Sequence, residues 1–471
     1  RMKWKEWAGI VSGLVLAAVS AYADDPIAGL PLQGMLDDKG EIWKIGRDDF
    51  MKKHGGLGFA WTSGTTNDVA AIRGQPVAFL DMAVIEAMAR FEDKGLREIA
   101  FSLYNRGDAG DIDSARFDNM VKVAQDRLSE WTGVKPTIVS DSLKIIGVQK
   151  EARVWTKAPS QFKLEWSVSS GSKGKDFGGV RPEYLRLRCQ ALDASRDYRS
   201  SLLTTATTRG KSVSLSGLKA NVTSADNGDM YIKGVPMVDQ GMKGYCAAAT
   251  TERIMRYYGR DMDQHELAQL AQTSANMGTD PRALVDVLRR MGIAMGCKIQ
   301  IHEDFNVQSF LRMIDRYNRV AKDRDAAPVS LDQGFEPPGG EQGAPGGGRR
   351  RPGPRVIDVG AIYQAMDAEV LREVRGKQKS DLKNFHLCVE KYVKLGLPLV
   401  WTVTVGKVEE NPPVQGAGGH MRMIIGYNNK ESEILYTDSW GPGHELKHMS
   451  LDDAWLITQG LYTIEPTRTT L

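Results

Sequence analysis

Two side chains near the middle of the sequence have the types and spacing that thiol-based acyl transfer needs. Cys246 is followed by an alanine-rich stretch that ends at Gly259, which predicts a helix with the cysteine at its N-terminus. The dipole and the backbone N–H groups at that end of a helix favour the thiolate, the nucleophilic form of the side chain. Gln240, six residues earlier, carries an amide that can donate to a developing oxyanion.

A cysteine nucleophile needs a base, and the base needs a group that orients it. Apolar segments at 421–427 and 434–437 predict two consecutive strands. His420 stands at the start of the first of these strands, and Asp438 comes directly after the second. Because neighbouring antiparallel strands can place such residues side by side, we expect Cys246, His420 and Asp438 to form a thiol–histidine–carboxylate triad.

The same segments resemble those of a known family. The residues from Gln240 to Cys246 read Gln-Gly-x-x-Gly-x-Cys, which is similar to the glutamine-to-cysteine segment of papain-like cysteine peptidases. Residues 438–441, Asp-Ser-Trp-Gly, resemble the Asn-Ser-Trp-Gly box of that family. The aspartate and the Gly-His strand start are more similar to secreted relatives of the bacteriocin (double-glycine) leader peptidases. The sequence has no P-loop ATPase motif, which excludes the transporter-linked form.

The resemblance covers about 230–466 and implies a role for each side chain. Cys246 would be the nucleophile and His420 the base and acid. Asp438 would orient the histidine, and Gln240 with the Cys246 backbone N–H would form the oxyanion hole. Trp440 would shield the histidine–aspartate bond from water. Papain-like enzymes work with asparagine at the position of the aspartate, so the resemblance implies that Asp438→Asn keeps a reduced but measurable rate.

Four residues beside the triad are expected to line the substrate site. Gly241 and Gly244 allow the backbone to approach a substrate closely, because glycine has no β-carbon. Gly419 directly precedes the histidine, and Trp440 lies two residues beyond the aspartate.

The first residues predict an export signal. Residues 1–23 combine a basic start, an uncharged apolar segment and the ending Ala-Tyr-Ala, the pattern of a cleaved secretory signal peptide. A retained membrane anchor is the alternative, but the apolar segment is short for a span of about 20 residues. We therefore expect a secreted protein, periplasmic or extracellular, with no membrane span after signal cleavage.

The next stretch, 24–204, predicts a separate α+β N-terminal domain. The pattern at 84–103 is typical of a β-hairpin, and 113–131 has apolar residues at helical spacing. Residues 161–167 and 184–191 alternate like further strands.

The remaining chain predicts a linker and a second domain. Residues 205–229 are polar and small, which is linker composition. The domain at 230–466 is expected to have a helical half and an antiparallel sheet half. Within it, 325–355 is predicted to be a flexible insertion rich in glycine and proline. The fold class is therefore α+β.

Charge and composition exclude several other classes. The 62 basic and 59 acidic residues leave a net charge of +3, which gives no electrostatic reason to propose a nucleic-acid partner. The three cysteines besides Cys246 lie in apolar segments, which favours buried thiols over a disulfide. No cofactor is expected. A zinc site can be drawn, but the spacing of its candidate ligands fits no closed tetrahedral pattern: His420, His444, His448 and Asp438.

The sequence thus predicts a secreted cysteine peptidase that hydrolyses a peptide or protein substrate through a thioester acyl-enzyme. Two alternatives stay open. The same triad serves transglutaminase-like enzymes and cell-wall amide hydrolases, and the chain could also be an inert binding protein. The N-terminal domain is expected either to mask the cleft or to recruit substrate, because a flexible linker at 205–229 would span about 25–30 Å.

Overall fold

A computed structural model gives the fold. The predicted signal peptide, residues 205–214 of the predicted linker and most of the glycine- and proline-rich insertion lie outside the described residues. Within the described part of the chain, no helix combines the length and the apolar character needed to cross a bilayer. The structure describes residues 29–37, 39–92, 95–139, 148–170, 180–192, 215–241, 244–260, 262–271, 273, 285–286, 288–289, 292, 296–331 and 359–467.

Helices and strands are both abundant in the described residues, so the α+β content is confirmed. The strands are β1 (Leu30–Pro31), β2 (Ala60–Trp61), β3 (Val69–Phe79), β4 (Met82–Glu92), β5 (Gly95–Asn105), β6 (Thr137–Val139), β7 (Val148–Lys157), β8 (Ser160–Ser170), β9 (Val180–Ala191), β10 (Val222–Ser224), β11 (Asp229–Ile232), β12 (Cys297–Glu303), β13 (Leu399–Val405), β14 (Gly418–Asn428), β15 (Glu433–Thr437), β16 (Lys447–Ser450) and β17 (Thr458–Pro466). The helices are α1 (Arg47–His54), α2 (Arg106–Ala109), α3 (Ser114–Thr132), α4 (Leu215–Lys219), α5 (Cys246–Tyr257), α6 (Gln264–Leu270), α7 (Val307–Asp323), α8 (Val359–Ala365), α9 (Ala368–Gly376), α10 (Lys379–Lys394) and α11 (Leu451–Ile457).

The chain divides into two compact units, each built from separate stretches of sequence. The boundary between the units does not follow the predicted linker at 205–229. In the described part of that linker, residues form α4 and β10. The first unit comprises Arg1–Ser212, Val235–Gly296 and Ser439–Glu445, and the second comprises Val213–Gly234, Cys297–Asp438 and Leu446–Leu471.

The first unit contains a nine-stranded sheet in the order β1-β3-β4-β5-β9-β8-β7-β6, with β2 on β3. The hairpin predicted at 84–103 is formed by β4 and β5, which pair antiparallel. The helix predicted at 113–131 is α3, which begins where the Asp113 carboxylate accepts from the N–H of Arg116 at 2.8 Å. Both predictions are confirmed because their signals, a turn and a helical period, are local.

One part of the same unit joins the sheet to α6 through buried polar contacts. Strands β7, β8 and β9 present charged and hydroxyl side chains to the helix instead of apolar ones. A buried polar group is stable only when it is paired, so these contacts fix where α6 lies. The contacts are Lys150 Nζ to Glu266 Oε1 at 2.5 Å, Arg186 Nη1 to Asp263 Oδ2 at 2.6 Å and Ser167 Oγ to Gln269 Oε1 at 2.8 Å.

The second unit contains an eight-stranded sheet. Its central path is β10-β11-β14-β13-β17-β12, and β15 pairs with β14 and with β16. The two strands predicted at 421–427 and 434–437 are β14 and β15, and they pair antiparallel as expected. Strand β13 pairs antiparallel with β14 as well. All seven residues of β13 are buried, and α10 packs against β14. The middle strand, β14, is therefore paired with other strands on both of its edges.

Candidate active site

Cys246 is the first residue of α5 and only 9% of its surface is exposed. The residue before it, Tyr245, does not cap the helix with its side chain. Its hydroxyl instead donates to Oδ1 of Asn105 at 2.5 Å, and the same oxygen accepts from the N–H of Gly107 at 2.9 Å. Burial raises the pKa of Tyr245 well above its usual value, so the hydroxyl stays a donor. The start of α5 is thus fixed to the end of β5 within the first unit.

Gln240 is buried and bonded to Ser439 in the same unit. The Gln240 N–H donates to the Ser439 carbonyl at 2.8 Å, and the Ser439 hydroxyl donates to Gln240 Oε1 at 2.6 Å. A hydroxyl donor on Oε1 defines the orientation of the amide, because it makes Nε2 the donor end. Two hydrogen bonds to Ser439 therefore hold Gln240 in place.

The residue before this glutamine is held by the N-terminal sheet. Arg73 forms an ion pair with the Asp239 carboxylate and donates from Nη2 to the Asp239 carbonyl at 3.1 Å. The other carboxylate oxygen accepts from the N–H of Gly241 at 2.8 Å. Gly241 has φ +66°, in the left-handed region that glycine adopts without strain. Sequence reasoning missed Arg73, because it lies 166 positions from Asp239 and no local sequence pattern connects the two.

His420 and Asp438 meet in the second unit. His420 Nε2 lies 2.9 Å from Asp438 Oδ1, and their side chains are 4% and 0% exposed. The strand register explains the contact, because Met423 of β14 pairs with Thr437 of β15. The next residues in each direction, Arg422 and Asp438, therefore come opposite one another. His420 lies two residues further along β14, on the same face as Arg422.

Three further charged side chains surround this pair, and sequence reasoning missed all of them. Arg422 Nε lies 2.9 Å from Asp438 Oδ1, and its Nη1 donates to both oxygens of Glu410 at 3.1 Å. Lys447 Nζ lies 2.9 Å from Glu410 Oε2 and 3.7 Å from Asp438 Oδ2. None of these four side chains is more than 1% exposed. The signal available in the sequence was the two-residue spacing of His420 and Arg422 on one strand.

Aromatic rings enclose the arginine of this cluster. The Arg422 guanidinium lies 5.6 Å from the ring centre of Trp401 and 4.8 Å from that of Tyr436. The Tyr436 hydroxyl donates to Glu410 Oε2 at 2.5 Å. Burial opposes the charge of Arg422, but Asp438 and Glu410 outweigh it and raise its pKa. The guanidinium is therefore charged, and it lies close to two carboxylates and two aromatic rings.

The predicted catalytic residues divide between the two units, and the structure brings one pair of them, His420 and Asp438, into contact. Gln240 is bonded beside Ser439 in the first unit, which also holds Cys246 at the start of α5, and His420 is bonded to Asp438 in the second.

The expected substrate-site residues also divide between the units. Trp440 is buried in the first unit, where its ring lies edge-on to that of His444 at 5.5 Å. Gly244, also in the first unit, lies two residues before Cys246 and is half-buried. Gly419 is exposed on β14 in the second unit, and a β-carbon there would meet open space. Among the described residues, no group of three or more metal-binding side chains is placed to hold a metal ion.

Comparisons with known proteins give matches among solved structures. No protein-family model matches the chain, and no curated protein sequence matches it. The chain is similar to the crystal structure of xylellain, a cysteine protease from Xylella fastidiosa. The two chains are 13% identical, and the match covers 53% of this chain and 89% of xylellain with a TM-score of 0.26. Values this low do not establish a shared fold.

Proposed function

We propose that this protein is a cysteine peptidase with Cys246 as its nucleophile. The observation that supports the proposal most directly is the buried hydrogen bond between His420 Nε2 and Asp438 Oδ1 at 2.9 Å. A carboxylate in that position orients an imidazole and stabilises its protonated form. The second support is the place of Cys246 at the start of a 12-residue helix, where a thiolate is favoured.

In the proposed reaction, Asp438 accepts from Nε2–H of His420, so Nδ1 is the nitrogen that takes the thiol proton. The Cys246 thiolate attacks the carbonyl carbon of a peptide bond, and a tetrahedral intermediate forms. The imidazolium then gives its proton to the leaving amine, and a thioester remains. Water, activated by the same imidazole, attacks the thioester and releases the acid.

Gln240 is proposed to stabilise the oxyanion of that intermediate. The Ser439 hydroxyl bonds to Oε1, so the donor of the amide is Nε2. The N–H of Cys246, at the end of a helix where the first N–H groups have no partner within the helix, would be the second donor. With residues 1–23 acting as a signal peptide, the enzyme would work outside the cytoplasm.

The proposal is tested by the reactivity of Cys246. Burial raises the pKa of Cys189 well above its usual value and that of Cys388 to about 11, so both thiols are protonated at pH 7. We expect iodoacetamide to label Cys246 rapidly between pH 5 and 8, and we expect Cys246→Ala to abolish peptide hydrolysis. The matched control is Cys388→Ala, which removes a thiol from α10 and should change neither result.

Two outcomes would reject the assignment. One is full hydrolysis by Cys246→Ala. The other is the combination of two results. Cys246 would react with iodoacetamide no faster than a free thiol at pH 7, and His420→Ala would not change that rate. Mass spectrometry of the products separates the alternatives that share the triad, because backbone cleavage adds water and transglutamination adds an amine. Cleavage at a backbone amide is the result we expect.

A further inference from the structure

We infer that Arg422, Glu410 and Lys447 are positioning residues that require the orienting group at 438 to be a carboxylate. This inference rests on the proposed function, since it concerns the group that orients His420. It makes the loss on Asp438→Asn larger than the resemblance to papain-like enzymes implies, because those enzymes carry an amide at this position.

The geometry points to Arg422 as the central member. Its guanidinium contacts two carboxylates with different nitrogens, Nε at 2.9 Å from Asp438 and Nη1 at 3.1 Å from Glu410. The contact with Asp438 is an ion pair, and the contacts with Glu410 are hydrogen bonds from Nη1. An extended guanidinium reaches both carboxylates at once, which the compact ammonium group of lysine cannot reproduce. Asp438 Oδ1 is therefore shared between Arg422 and His420, and the direction of the imidazole depends on both.

The charges of the cluster balance as they stand. Two cations, Arg422 and Lys447, face two anions, Glu410 and Asp438, and all four are buried. Tyr436, whose pKa burial raises, and His420 also contact the cluster. Asp438→Asn would leave two cations with one anion directly beside His420. An excess buried cation disfavours the imidazolium, and with it the thiolate–imidazolium pair.

The experiment is a double-mutant cycle on the full chain with Asp438→Asn, Arg422→Gln and both together. We expect Asp438→Asn to lower kcat on the order of 10²–10³-fold and to move the alkaline limb of the pH–rate profile to lower pH. In the double variant Lys447 and Glu410 remain as a balanced pair. We expect the double variant to recover at least tenfold in kcat over Asp438→Asn, and its alkaline limb to return towards that of the wild type.

The same four proteins are unfolded in urea, which requires no activity. We expect the double variant to be less destabilised than the sum of the single variants. Additive stabilities together with a double variant no faster than Asp438→Asn would overturn the inference. If the proposed function is wrong, the result is different. Cys246→Ala would then stay active, while the stabilities would still show coupling between Asp438 and Arg422.

If Asp438→Asn does not fold, two variants that keep every charge test the inference instead. Arg422→Lys retains the cation but loses the two-sided contact, and we expect about a tenfold loss in kcat with KM unchanged. Tyr436→Phe removes one hydrogen bond to Glu410, and we expect a loss of a few fold in kcat. Wild-type kcat and pH profile in both variants would also overturn the inference.

Discussion

At the residue scale, the orientation of one amide is decisive for the proposed chemistry. Gln240 can stabilise an oxyanion only through Nε2, and the hydroxyl of Ser439 is the group that selects this end. The backbone bond between the same two residues keeps the glutamine next to the Asp-Ser-Trp-Gly box. Ser439 of the box therefore sets both the position and the orientation of Gln240.

This arrangement predicts a graded loss on substitution. We expect Gln240→Ala to lower kcat on the order of 10²–10³-fold, the usual loss of one oxyanion donor. Ser439→Ala leaves the donor in place but removes its orientation, so a loss of about tenfold in kcat is expected. Steady-state kinetics on a peptide substrate measure both. If Gln240→Ala raised KM alone, the glutamine would bind substrate without stabilising the transition state.

The sequence was sufficient for the types and order of these residues but not for their partners. Cys246, His420 and Asp438 could be selected because each stands at the predicted end of an element. Arg422 could not, since alternation along a strand gives the face of a side chain but not its cross-strand neighbour. The pairing of β14 with β15 shifts register between Ile424 and Gly426, and this irregularity has no signature in the sequence.

At the element scale, α6 is held to the N-terminal sheet by charge. Asp263 is both the N-cap of α6, accepting from His265 N–H at 2.8 Å, and the partner of Arg186. Burial alone would raise the pKa of Asp263, but Arg186 and His265 lower it well below its usual value. The folded state therefore binds this proton less readily than the unfolded state.

The sign of the pH dependence follows from that shift. A carboxyl group whose pKa is lowered by folding adds stability above its unfolded pKa of about 3.9, and the contribution is lost as pH falls. We expect Arg186→Met to destabilise the protein at pH 7, and the difference from the wild type to shrink at pH 3. Urea unfolding at both pH values measures this. The control, exposed Arg312→Met, should give the same small difference at each pH.

Elements were more predictable than the way they assemble. The hairpin of β4 and β5, the helix α3 and the strands β14 and β15 all follow from local periods and turns. The boundary of the first unit does not, because contacts between residues about 80–120 positions apart determine it. Buried ion pairs leave no hydrophobic pattern, so the stretch that supplies them was predicted to be a separate domain.

At the scale of the whole molecule, these contacts change the expected role of the N-terminal region. A masking domain on a flexible linker would be removable without harm to the enzyme. Here the described part of residues 24–204 lies in the same unit as α5 and α6, and it supplies the hydrogen-bond partners of Asp239, Tyr245 and Asp263. Removing this region would leave these groups exposed or without their partners. The loss of a hydrogen-bond partner is costly in free energy for a buried polar side chain.

The last prediction concerns the chain 213–471, which keeps all of the second unit but lacks the N-terminal sheet. We expect slow amide exchange to persist in β13 and β14, whose hydrogen bonds lie within the second unit. Amides of α5 and α6 should exchange fast, and Cys246 should lose rapid labelling and peptide hydrolysis.

The matched control is the full chain with a protease site placed within 205–212. Cutting that chain without separating its parts should leave hydrolysis unchanged, because the buried contacts persist. A masking domain predicts the opposite, namely that 213–471 hydrolyses peptides at least as fast as the intact protein.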